Sequence, residues 1–246
     1  WYKDYPQSNF HFINDNNEWL QIDKIGHMTT TYYLGRISYN ALRWSGLSEK
    51  KAIWYGGSAG LLFVTTIEVF DGFSAEWGAS IGDVVDNTLG TAMFMSQQLI
   101  WNEQRLNMKF SFQQKEYAKY NTEQLGKNFI QQSLKDYNGQ TFWISANIKS
   151  FCHNESAFPG WLNIAFGYGA KGMTGPRSNI IDNGEPVPGF QRTRQYFFSP
   201  DIDLTRIPTK SGFLKMIFNI FGFIKIPLPT IEYNKQDNLK FHWIYF

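Results

Sequence analysis

The chain has 246 residues, enough for one large domain or two small ones, and 44 of them (22 Phe, 13 Tyr, 9 Trp) are aromatic. Charged residues make up only 18%, yet the mean hydropathy is −0.37, because Asn, Gln, Ser and Thr fill the polar remainder. That excludes a disordered tail, which would be charge-rich and aromatic-poor, and a polytopic inner-membrane protein, which needs repeated runs of about 20 apolar residues. A net charge of +2 with a pI near 8.5 leaves no electrostatic footprint for nucleic acid.

The single cysteine, Cys152, excludes an intramolecular disulfide and a multi-cysteine zinc site. The chain opens Trp1-Tyr2-Lys3-Asp4 without an initiator methionine, as an exported chain with its signal peptide removed would, or a trimmed one. No cysteine stands at that end to carry a lipid.

Residues 1–20 are aromatic and Asn/Asp-rich without a period, an irregular lead-in. From 21 to 106 the pattern is helical, in three pieces. The first covers about 23–44 and stops at Ser45-Gly46. The second covers about 49–70, opened by Ser48 with Lys51 three residues on. The third covers about 80–105, opened by Ser80-x-x-Asp83, a near-relative of the capping box. From Ala52 to Ile67 the second piece has no charge and carries Gly56, Gly57, Ser58, Ala59 and Gly60. Small residues of this kind let helices approach closely, in membranes or in a tightly buried bundle.

From 107 to 246 the period switches to 2, with a short helix expected near 123–134 and a turn at Asn138-Gly139. Strands are expected at 107–113, 141–150, 161–171, 194–206, 230–234 and 239–246. In 141–150, Phe142, Ile144, Ala146 and Ile148 share one face, while Trp143, Ser145, Asn147 and Lys149 share the other. Several strands approach the 9–11 residues with which a tilted strand crosses a bilayer. The Gly/Pro/Asn-rich stretch 174–192 reads as a long loop. Residues 213–226 read as an apolar helix carrying Lys215 and Lys225, lying in a membrane interface, or plugging a barrel or covering a sheet. The expected fold is therefore α+β: a three-helix unit, then an antiparallel sheet or a partial or small barrel.

Candidate chemistry lies in the helical half. Asp23 and His27 are i and i+4, Glu68 and Asp71 are i and i+3, and Asp83 and Asn87 are i and i+4, with Ser80 and Gly90 on the same stripe. Burying such charges unpaired is strongly unfavourable. Convergence therefore calls for mutual pairing, a bound cation or a polar ligand. His27, Glu68, Asp71 and Asp83 suit a divalent metal by ligand type. A buried hydrogen-bond network locking the helices is the preferred alternative, since no nucleophile stands beside the cluster. Within it, Asp83 is expected to balance a protonated His27.

His11, His153 and His242 lack comparable partners in sequence. Cys152 and His153, adjacent in the chain, would point apart on a strand. Gly167-x-Gly169-x-x-Gly172 fits a dinucleotide fingerprint in letters only, because no helix pattern follows it.

The ordered set Asp23-Lys24-x-x-His27, Glu68-x-x-Asp71-Gly72-Phe73-Ser74 and Gly78-x-Ser80-x-x-Asp83-x-x-x-Asn87-x-x-Gly90 resembles the YfiM-like family of uncharacterised envelope lipoproteins, in its longer Bacteroidota-type form. More distantly it is similar to VanZ-like proteins. The resemblance covers residues 20–105 and implies a cell-envelope location with no established activity.

The terminal run Leu239–Phe246 alternates and ends on Phe246, as the last strand of outer-membrane barrels does for recognition by the assembly machinery. Five or six strands fall short of the usual eight. The function expected is a non-catalytic structural or accessory component of an envelope assembly, at the outer membrane or its periplasmic face. Its expected partners are an outer-membrane protein complex and a lipid surface. The 174–192 loop and the aromatic lead-in are the expected contact surfaces. The alternative is a metal-dependent enzyme or binding protein for a lipid-linked or phosphate-bearing substrate, using the His27/Glu68/Asp71/Asp83 cluster. A third reading is a soluble β-sandwich with a helical cap.

Overall fold

In the computed structural model, residues 6–152, 158–182, 185–186 and 189–246 are described. His153, part of the lead-in and four positions of the 174–192 loop lie outside them. The chain divides into two units, Trp1–Gln104 and Arg105–Phe246, an α+β combination.

The first unit is built on α1 (Ile22–Trp44), α2 (Glu49–Asp71) and α3 (Ile81–Trp101). Ser80 caps α3 by accepting from Asp83 N–H, as its capping motif predicts. Ser48 precedes α2 in extended backbone, but its side chain makes no cap hydrogen bond. The third helix stops at Trp101 rather than near 105, because Asn102 takes the left-handed conformation that ends a helix (φ 55°). Close approach is steric: a Cβ on Gly90 would fall 2.0 Å from Met28 O, and one on Gly56 would fall 2.5 Å from Tyr39 N. The described part of the lead-in is ordered by pairing. Phe12–Ile13 (β1) lies parallel to Ala79–Ser80 (β2), and Ser8 and His11 donate to the carbonyls of Phe73 and Gly72. Among the described residues α2 is the one helix long and apolar enough to cross a membrane, and only a third of its most apolar stretch is buried.

The second unit is one antiparallel sheet of six strands. They are β3 (Leu106–Phe112), β4 (Gln140–Asn147), β5 (Leu162–Lys171), β8 (Thr193–Ile202), β9 (Leu228–Asn234) and β10 (Asn238–Tyr245), in the order β10-β9-β8-β5-β4-β3. The intervening β6 (Ile181–Asp182) and β7 (Glu185–Pro186) form a small hairpin inside the 174–192 stretch. The helix expected at 123–134 is two short ones, α4 (Thr122–Leu125) and α5 (Phe129–Lys135), divided at Gly126 (φ +96°). Residues 148–151 leave the strand as a single turn, α6 (Ile148–Phe151), and 204–206 leave it as a 3₁₀ turn. Phe246 follows β10 rather than pairing within it.

The sheet does not close into a barrel, nor is it a two-sheet sandwich. It curls. β4 and β10 are four ladder steps apart, about 19 Å if flat, yet Thr141 Oγ1 lies 3.2 Å from Tyr245 OH across the concave side. The free side of β3 is covered by the segment before β9, where Phe110 N–H donates to Phe223 O and Lys225 N–H donates to Phe110 O. This corrects the expected helix 213–226. The helix α7 (Gly212–Phe221) ends earlier, and Lys225 is buried in the curl over the Trp143 ring. Nor is α7 a plug, because none of its residues is buried.

The two faces of the sheet are inverted relative to a soluble protein. Inside the curl lie Asn107, Lys109, Ser111, Ser145, Asn147, Asn163, Gln195, Ser199, Asp201, Glu232 and Asn234, all buried, around Trp143, Phe197 and Tyr245. Lys109 Nζ is 2.8 Å from Asp201 Oδ2, which also accepts from Ser145 Oγ at 2.6 Å. Glu232 accepts from Gln195 and Asn234 and lies 2.6 Å from His242 Nε2, a partner for His242 that only the strand register supplies. Gly167 leaves room for the Trp143 ring, which an added Cβ would meet at 2.6 Å. The outer face carries two cross-strand rows. One is Phe110–Phe142–Tyr168–Tyr196–Tyr233–Leu239, and the next is Met108–Ile144–Phe166–Phe198–Ile231–Phe241. Ile144, Phe166, Tyr196, Phe198, Ile231, Tyr233, Leu239 and Phe241 are exposed, whereas Met108 and Phe142, toward the β3 edge, are buried. No charge interrupts either row.

Candidate functional site

The first unit gathers polar side chains from three helices and the lead-in. Lys24 is the hub. Its Nζ lies 2.6 Å from Asp15 Oδ2, 2.7 Å from Asp83 Oδ1 and 3.4 Å from Asp23 Oδ2. Asp15 also accepts from Ser80 Oγ at 2.6 Å. Glu68 Oε2 accepts from Ser80 N–H at 3.4 Å, so the cap residue of α3 is held by α2 and by the lead-in at once. His27 stands between the acids. Its Nδ1 is 3.2 Å from Asn87 Oδ1 and 3.7 Å from Glu68 Oε1, and its Nε2 is 3.7 Å from Asp83 Oδ1 and 4.0 Å from Asp23 Oδ1.

Of the residues singled out in sequence, Asp23, His27, Glu68, Ser80, Asp83 and Asn87 meet here. Gly90 marks where α3 touches α1. Asp71 bears on the cluster through its charge on Glu68. The residues whose ligand atoms converge are Asp23, His27 and Asp83, all within 4.8 Å of one another. Two members were not among the candidate site residues: Lys24, which entered only as part of the Asp23-Lys24-x-x-His27 motif, and Asp15, in a segment without a period. The partner assigned to Asp83 changes accordingly. Its close ion pair is with Lys24, and His27 stands a full ångström farther away.

The electrostatics follow from crowding. Burial pushes Glu68 up to about 7, reinforced by the charge of Asp83 and opposed by His27. Burial likewise pushes Asp83 up to about 6, against the attraction of His27 and Lys24. For Asp15 burial acts the same way, but hydrogen bonds from Lys24 and Ser80 outweigh it and hold the carboxyl below its usual range. Burial alone would lower His27 and Lys24. The surrounding carboxylates reverse this and raise both. The Lys24–Asp83 pair is thus asymmetric. Lys24 draws on three carboxylates, whereas Asp83 shares one ammonium with Asp15 and Asp23. Chemically the cluster holds protons near neutral pH and offers one imidazole and two carboxylates to a cation.

Residues 11–98 match the family described as predicted periplasmic lipoprotein (DUF2279). The matched segment contains the whole cluster and lies within the first unit. It supports an uncharacterised cell-envelope family for that unit and an envelope location. No curated protein and no solved structure matches the chain.

Proposed function

We propose that the chain is an outer-membrane-associated component of a cell-envelope assembly, with a structural or accessory rather than catalytic role. The inverted sheet is the observation that carries this reading. A polar network inside the curl and two uncharged aromatic rows outside are the arrangement of a lipid-facing β structure, in which apolar residues face acyl chains and tyrosines gather near one interface. In water the same outer face would be a large apolar patch, of the size that marks an interaction site. The exposed Phe213, Leu214, Met216, Ile220 and Phe221 of α7 suit the membrane interface. The family match to residues 11–98 supports the envelope setting. The finer kinship with YfiM-like and VanZ-like proteins, and a place among other outer-membrane proteins, belong to this proposal.

Fractionation tests it. The chain is expected in the outer-membrane fraction and to resist extraction by urea. Phe198→Lys, at the centre of the outer face, is expected to weaken insertion by roughly 2–4 kcal/mol. Recovery of the unaltered chain as a monodisperse soluble protein without detergent would overturn the reading.

A further inference from the structure

We propose that Asp23, His27 and Asp83 bind one divalent cation of the borderline class, with Zn²⁺ as its probe. The inference does not rest on the membrane reading. His27 Nε2 faces Asp83 Oδ1 at 3.7 Å and Asp23 Oδ1 at 4.0 Å, beyond hydrogen-bond reach. These are instead separations of ligand atoms around a shared ion. A point equidistant from three atoms so spaced lies roughly 2.1–2.5 Å from each, within the range of metal–nitrogen and metal–oxygen bonds.

The ring's other nitrogen sets the chemistry. In the tautomer that binding through Nε2 requires, Nδ1–H donates to Asn87 Oδ1 at 3.2 Å and the Nε2 lone pair is aimed between the two carboxylates. Two carboxylates facing Nε2 favour positive charge there, supplied by a proton on the free ring or by the cation that replaces it. Glu68 Oε1, 3.7 Å behind the same Nδ1, occupies the outer position in which carboxylates orient metal-bound imidazoles.

A second, independent observation also points to an occupant. Asn87 is fully buried beside the imidazole, and its Nδ2 has no hydrogen-bond partner among the described residues. A buried amide donor without a partner is costly, and a polar occupant of the cluster would relieve it. Two carboxylates with one imidazole suit Zn²⁺ or Mn²⁺ better than a hard, all-oxygen cation such as Ca²⁺. Lys24 shares Asp83 Oδ1 with the proposed ion and so competes with it.

The test is calorimetric titration of the chelator-treated full chain in detergent with Zn²⁺, with bound metal counted by mass spectrometry. One ion per chain is expected. His27→Gln and Asp23→Asn should abolish retention while leaving helical circular dichroism unchanged, and Glu68→Gln should weaken binding by about 10–100-fold. Lys24→Gln should tighten binding even as it lowers thermal stability, a combination that a purely structural network does not produce. No zinc retained by the unaltered chain, or retention unaffected by both His27→Gln and Asp23→Asn, overturns the proposal.

Discussion

Lys24 on α1 and Asp83 on α3 form a buried ion pair, Nζ to Oδ1 2.7 Å, and this contact rather than the 3.7 Å approach of His27 ties the two helices electrostatically. Removing one partner of a buried pair strands the other charge. Here, however, Asp83→Asn leaves Lys24 with Asp15 and Asp23 and keeps the backbone N–H that Ser80 caps, so the first unit is expected to lose about 1–3 kcal/mol. Because Lys24 also serves Asp15 and Asp23, Asp83→Asn, Lys24→Met should lose less than the sum of its single losses, whereas Asp83→Asn, His27→Gln should be close to additive. Urea unfolding of these variants in one detergent decides between the partners.

A pH dependence follows from Glu68 and His27, measured with chelator present. Burial holds the Glu68 carboxyl up at about 7 when folded, against an ordinary 4.5, so between these limits the folded state binds more protons than the unfolded state. Stability from this group falls as pH rises from about 4.5 to 7. His27, also raised, acts in the same direction: its contribution is present below 6.5 and is lost as pH climbs through its folded value. The helical unit should thus melt at a higher temperature at pH 5 than at pH 7.5. Glu68→Gln should flatten that slope, and an unchanged slope would mean the carboxyl titrates normally.

Gly90→Ala drives a methyl into Met28 O at 2.0 Å and Thr31 Oγ1 at 2.3 Å, where backbone cannot yield cheaply. A loss of about 1–3 kcal/mol or more is expected, despite the gain in helix propensity. Gly212, at the start of α7, has nothing within 4 Å of an added Cβ. There Ala should be neutral or stabilise by about 0.5 kcal/mol. Thermal melts of the two variants should separate clearly.

Inside the curled sheet, Asp201 lies 2.8 Å from Lys109 Nζ and 3.7 Å from Lys225 Nζ, with no exposure of any of the three side chains. Asp201→Asn leaves two ammonium groups facing each other without a counter-charge. A loss of about 3–5 kcal/mol is expected. The double variant Asp201→Asn, Lys109→Met should regain part of it. Protease resistance of the β half reads out the difference.

Local periodicity made most elements legible. A helix or strand writes its repeat into consecutive residues, so α1, α2 and the six long strands could be read to within a few positions. The acids at Asp23, Glu68 and Asp83 were legible for a related reason: a charge within an apolar stripe has to be accounted for. What tertiary structure alone decided is which face of each strand is inside. Alternation assigns Phe142 and Ile144 to one side and Trp143 and Ser145 to the other, but it is symmetric. Only the curl of the sheet, seen where Thr141 meets Tyr245, turns the polar side inward and the aromatic rows outward. The pairings of Lys24 in the helical cluster were hidden for a related reason. Asp15, Lys24 and Asp83 are joined by chain folding over long sequence separations, and pairing at such range leaves no periodic trace in the residues between them.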